Sequence, residues 1–117
     1  MTVDIDNETE GHRRRNAALV ESLRAQNVDT EVPREIEVHF WASRHENAVS
    51  FAKALYDAGF QLSVLAPSPS VSEPDMWNVE VTIVLSVQAV VSDDFIRNII
   101  MFADNYAARF DGWGTSV

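Results

Sequence analysis

From Trp77 onward every second residue is apolar: Trp77, Val79, Val81, Ile83, Leu85 and Val87, with Asn78, Glu80, Thr82 and Val84 between them. A strand sends alternate residues to opposite faces, so this run predicts a long strand with one dry face and one wet face. A chain built around it must cover the dry face with a second layer.

The rest of the chain supplies that layer. Residues 35–42, EIEVHFWA, alternate in the same way, with Ile36, Val38, Phe40 and Ala42 against Glu35, Glu37, His39 and Trp41. SRHE at 43–46 reads as a capping box, with the Ser43 hydroxyl facing the Glu46 N–H. The helix after it carries Ala48, Phe51, Ala52 and Leu55 on one stripe and has Gly59 at its C-terminal cap. A second strand over 60–67 is expected to place Phe60, Leu62 and Val64 on its core face. It ends at Pro67, before a loop over 68–75 expected to be mobile. After the long strand, Ser92 is the N-cap of a helix whose first turn holds Asp93 and Asp94. Its buried stripe is Phe95, Ile99, Phe102, Ala103 and Tyr106. Ahead of all this, residues 8–27 form a helix with Leu19, Val20 and Leu23 at packing positions and Gly11 weakening its first turn. Pro33 closes the connector.

The order βαββα, with a short closing strand over 113–117, predicts an α+β, ferredoxin-like two-layer sandwich preceded by an N-terminal helix. The expected division is 1–33 for helix and connector and 34–117 for the sandwich. One sheet face is left open, presenting Glu35, Glu37, His39, Trp41, Glu80, Thr82 and Val84. Either the N-terminal helix or a second copy of the chain is expected to cover it.

Charge narrows the partners. Nine Lys and Arg stand against eighteen Asp and Glu, a net charge of -9. That field repels phosphate backbones and anionic membranes and draws basic protein segments. Direct nucleic-acid binding is also opposed by the wet face of the long strand, which offers Glu80 and Thr82 where a base would need an aromatic platform. The chain has no cysteine, so disulfides and thiol chemistry are excluded. No apolar leader or membrane-length run is present in the first 30 residues or later, and the expected location is the cytoplasm.

Catalytic and metal motifs are not found. His12, His39 and His45 lack ligand spacing, and no cofactor is expected. An enzyme would have to use His39 with Glu37, or His45. The triplet Arg13 to Arg15 stands beside Glu8, Glu10 and Glu21 as a solvated helix face.

The segment FDGWGT, Phe110 to Thr115, stands out. Asp111 and Gly112 form a turn dipeptide, Gly114 lets Trp113 approach a neighbouring backbone, and Trp113 is either a plug that locks the C-terminus or an exposed anchor. Together with IEVHF and FAKALYDAGFQL, in this order and spacing, the segment resembles the family of regulator of ribonuclease E activity B. That resemblance implies a ferredoxin-like domain without catalytic residues. Such a protein inhibits by binding the endoribonuclease, whose non-catalytic part is rich in arginine segments, and changes which RNAs are cut. The expected partner contacts are Glu35, Glu37, His39, Trp41 and Glu80 on the open face, with Asp111, Gly112, Trp113, Gly114 and Thr115. The alternative is a homodimeric ligand-sensing or structural domain that packs two open faces through Trp41, Leu65 and Val84.

Overall fold

A computed structural model describes residues 4–67 and 75–116. Its elements are α1 (Ile5–Ala25), β1 (Arg34–Ser43), α2 (His45–Asp57), β2 (Gln61–Pro67), β3 (Met76–Leu85), α3 (Val87–Val90), α4 (Asp93–Asp104) and β4 (Ala108–Gly114). The four strands form one antiparallel sheet in the order β2-β3-β1-β4. This is the split βαβ arrangement, an α+β two-layer sandwich with β1 and β3 at its centre.

The alternation on β1 and β3 sets the layers. Ile36, Val38, Phe40 and Ala42 oppose Ile83, Val81, Val79 and Trp77 across the ladder, and Phe40 packs edge-on to Phe51 of α2 at 4.7 Å. Above this floor sit Leu55, Val87, Val90, Ile96, Ile99 and Ala103 from the helices. Burying a side chain of this kind stabilises by about 1.5–3 kcal/mol, so the interleaved floor and roof are the main source of stability. α1 packs against α4 on the same side and contributes Leu23 to the core. The N-terminal helix therefore widens the helical layer and does not cover the open face.

Local signals decide the ends. Gly59, at φ 102°, closes α2: its N–H bonds to the Tyr56 carbonyl and the Phe60 N–H to the Leu55 carbonyl, both at 3.0 Å. This pair of bonds is the Schellman motif, which needs the left-handed region that glycine enters freely. Ser92 caps α4 by accepting the Phe95 N–H at 3.3 Å.

Several expectations are corrected. α1 begins at Ile5, because Asp4 accepts the Asn7 N–H at 3.0 Å and Asp6 and Glu8 favour the first turn. Gly11 thus lies inside the helix. No capping box forms at 43–46: Ser43 ends β1, and Arg44, at φ 67°, turns the chain without a side-chain cap. β2 carries a register shift between Leu62 and Val64. Ser63 is the extra residue, its hydroxyl donating to the Glu80 carbonyl at 3.0 Å. The shift exchanges the faces of the residues after Ser63. Val64 opposes Glu80 on the open face, Leu65 opposes Val79 on the core face, and Leu62 at the sheet edge is 45% exposed. Leu65 is therefore not on the open face. β3 stops at Leu85, since Ser86 caps the short α3 by accepting the Ala89 N–H, and Val87 reaches the core from that helix. The α4 stripe centres on Ile96, Ile99, Ile100 and Ala103, with Phe95 and Phe102 at its flanks and Tyr106 beyond its end. The mobile loop expected over 68–75 lies, apart from Asp75, outside the described residues.

Candidate functional site

The open face is ruled by β1. Its wet residues pair in register with those of β3: Glu35 with Val84, Glu37 with Thr82, His39 with Glu80, and Trp41 with Asn78. The His39 Nδ1–H donates to Glu80 Oε1 at 2.9 Å, since a carboxylate only accepts, while Nε2 faces Glu37 Oε2 at 3.8 Å. His39 and Glu80 are each a little under one-third exposed, so this dyad is half-buried in the sheet surface. The orienting carboxylate comes from the neighbouring strand, not from Glu37. Around it, Glu35 and Glu37 are exposed, and Val84 is the most exposed apolar residue of the face at 65%.

β4 completes the face with Arg109, opposite Trp41 and largely exposed, and then with two glycines. The closing strand spans Ala108–Gly114, earlier than the 113–117 expected. Asp111 and Gly112 are not a turn but a bulge inside it: Phe110 pairs with Phe40 and Gly112 with His39, leaving Asp111 as the extra residue. Gly112, at φ 150°, takes the bulge conformation that a side chain would disfavour. Gly114 has a different explanation from close approach, because a Cβ there would meet only Glu37 Oε2 at 3.9 Å and His39 Nε2 at 4.0 Å. The two glycines leave a shallow trough beside His39. Thr115 is tied back to the strand start, donating to the Glu35 carbonyl at 2.8 Å and accepting from Arg34 Nε at 3.0 Å.

Trp113 does not join this face. It opposes Val38, points to the core side and is 8% exposed, with its Nε1–H donating to Asn16 Oδ1 of α1 at 2.8 Å. The indole is a plug. Its partner belongs to a polar stripe, Thr9, His12 and Asn16, which extends the Leu19–Leu23 spacing toward the helix start and is buried. The helical period alone marks those positions, but their polarity disguises them. His12 stacks on Phe110 at 4.4 Å and accepts from Arg15 Nη2 at 3.1 Å. Burial, then the Arg15 charge, holds the His12 pKa below 6.5. Ion pairs fasten the same helix outside: Arg13 with Asp93 at 2.9 Å, Asp6 with Arg97 at 2.7 Å, and Glu8 with Arg109 at 2.9 Å. Arg13 thereby lowers the Asp93 pKa, and its own is raised in return.

Among the described residues no group of three His, Asp or Glu is placed to hold a metal ion, and no helix is long and apolar enough to cross a membrane. Residues 13–115 match the protein family described as Regulator of ribonuclease activity B. The chain belongs to this family, RraB. The match takes in Asn16 and Trp113, so the helix-to-strand lock lies inside the RraB region, as does the whole open face. By its description RraB is a family of regulators of ribonuclease activity, to which this chain belongs. No curated protein sequence matches the chain.

Proposed function

We propose that this RraB protein is a non-enzymatic inhibitor that binds a ribonuclease E-type endoribonuclease through a basic segment of that enzyme, and so alters which RNAs are cut. The observation that carries this reading is the sheet face opposite the helices, where Glu35 and Glu37 are exposed, Glu80 holds His39, and Trp41 lies further along β1 between Asn78 and Arg109. A lysine- or arginine-rich segment would gain from the carboxylates by steering and from the indole by cation–π contact, worth about 0.5–2 kcal/mol per contact. The trough beside His39 leaves room for an extended chain to lie along β4.

The test is co-purification and quantitative binding with a ribonuclease E-type enzyme, using the double variant Glu37→Gln, Glu80→Gln beside the wild type. Binding that is weakened in the folded variant supports the reading, and undiminished binding sinks it. Self-association through the open face has one observation in its favour, exposed Val84 opposite Glu35, but two such faces would press Glu35 and Glu37 against their own copies. Sedimentation showing a dimer that Trp41→Ala dissolves would favour it over the first reading.

A further inference from the structure

Among the described residues a cleft opens at the β4 edge of the sheet and reaches the open face at Trp41. It encloses about 660 Å³ between the first half of α1 and β4, walled by Gly11, His12 and Arg15 on one side and by Trp41, Arg109 and Phe110 on the other. In a chain of net charge -9, it holds two guanidinium groups.

Their charges are not spent alike. Arg109 is neutralised, its Nη2 donating to Glu8 Oε1 at 2.9 Å. Arg15 makes no ion pair among the described residues and donates instead to His12 Nδ1 at 3.1 Å. An imidazole nitrogen that accepts from a guanidinium must carry a lone pair, so His12 is the neutral tautomer with its proton on Nε2. Burial and the Arg15 charge both favour that neutral form. Arg15 is thus oriented by an uncharged acceptor and keeps its full charge toward the cleft, where the remaining carboxylate, Asp111, is exposed.

Gly11 supplies an independent sign. Glycine weakens a helix interior, and here neither backbone nor packing calls for it: a Cβ would make ordinary contact with Arg15 Nη1 at 3.7 Å. What the missing side chain does is keep the floor under the guanidinium open.

We propose that this cleft is a carboxylate-binding site, with Arg15 as the cation that contacts the ligand and Trp41 and Phe110 as walls for its apolar body. A guanidinium holds a carboxylate through two parallel N–H donors. One uncompensated arginine beside Asp111 suits a monoanion better than a phosphate. The carboxylate belongs either to an acidic side chain of a peptide or to a small aromatic acid. The cleft meets the open face at Trp41, the indole that the proposed docking of a basic segment also uses, while its cation, Arg15, lies on α1.

Two probes separate the sources: a capped Phe-Glu dipeptide and free phenylacetate, each titrated into the full chain at low salt while amide resonances are followed. Saturable shifts at Gly11, Arg15 and Phe110 are expected with at least one probe. Arg15→Gln should weaken that probe by roughly tenfold or more, whereas Arg14→Gln, on an exposed arginine paired with Glu10, should not. Gly11→Ala should raise the thermal midpoint yet weaken the probe. The proposal is overturned if neither probe saturates, if Arg15→Gln binds as the wild type does, or if inorganic phosphate binds more tightly than both.

Discussion

Trp113 and Asn16 show how one hydrogen bond can hold a terminus. The bond is buried, and among the described residues Asn16 Nδ2 has no partner, so the carboxamide already carries an unmet donor group. Trp113→Phe keeps most of the ring volume but strands Asn16 Oδ1 as well. It should destabilise the fold by about 1–3 kcal/mol in urea unfolding. His12, a few residues away, sets an acid limit. Its native pKa lies below 6.5, so the unfolded chain takes up the proton first as pH falls. The contribution of neutral His12 is complete above that value and is lost progressively as pH drops from about 6.5 toward the native pKa. His12→Phe can still stack on Phe110 and cannot titrate. The stability difference between the wild type and this variant should therefore change sharply below neutrality and stay flat above it.

The elements divide into those whose ends carry a local signal and those decided by neighbours. Ser92→Ala should cost about 1 kcal/mol, because the α4 cap is a single side-chain bond that the residue type announces. Gly112→Ala should cost about 1–3 kcal/mol, since the β4 bulge needs φ 150° although no atom blocks a Cβ there. Both are read by thermal or urea denaturation. The same contrast separates what is legible in the sequence from what is not. Alternation on β1 and β3, the stripe on α2 and the caps at Gly59 and Ser92 are written within a few residues, and from them the sandwich emerges. The bulges at Ser63 and Asp111 are not, because each depends on which residue of β3 or β1 stands opposite. For the same reason alternation places the open-face residues of β1 and β3 together, yet it sends Val64 to the wrong face and leaves Asp111 and Gly112 looking like a turn. The polar stripe of α1 escapes the pattern because Thr9, His12 and Asn16 are polar, and His12 and Asn16 pack by pairing with Phe110 and Trp113, about 100 residues away in the chain.

For the whole molecule, the arrangement separates stability from recognition. Every helix and the plug at Trp113 lie on one side of the sheet, and the other side carries Glu35, Glu37, Glu80 and Trp41 with no helix of the described residues packed over them. Glu35 and Glu37 are exposed and contribute little to folding, so replacing Glu37 should leave the unfolding midpoint nearly unchanged while altering association, whereas replacing Glu80, half-buried and bonded to His39, should also lower the midpoint. The most direct measurement is the affinity for a ribonuclease E-type enzyme across a salt series, for the wild type and for Glu37→Gln, Glu80→Gln. Docking of a basic segment on the open face predicts affinity that falls steeply with salt, and a weaker, flatter dependence in the variant. An affinity that ignores salt, or one that the variant shares in full, would contradict it.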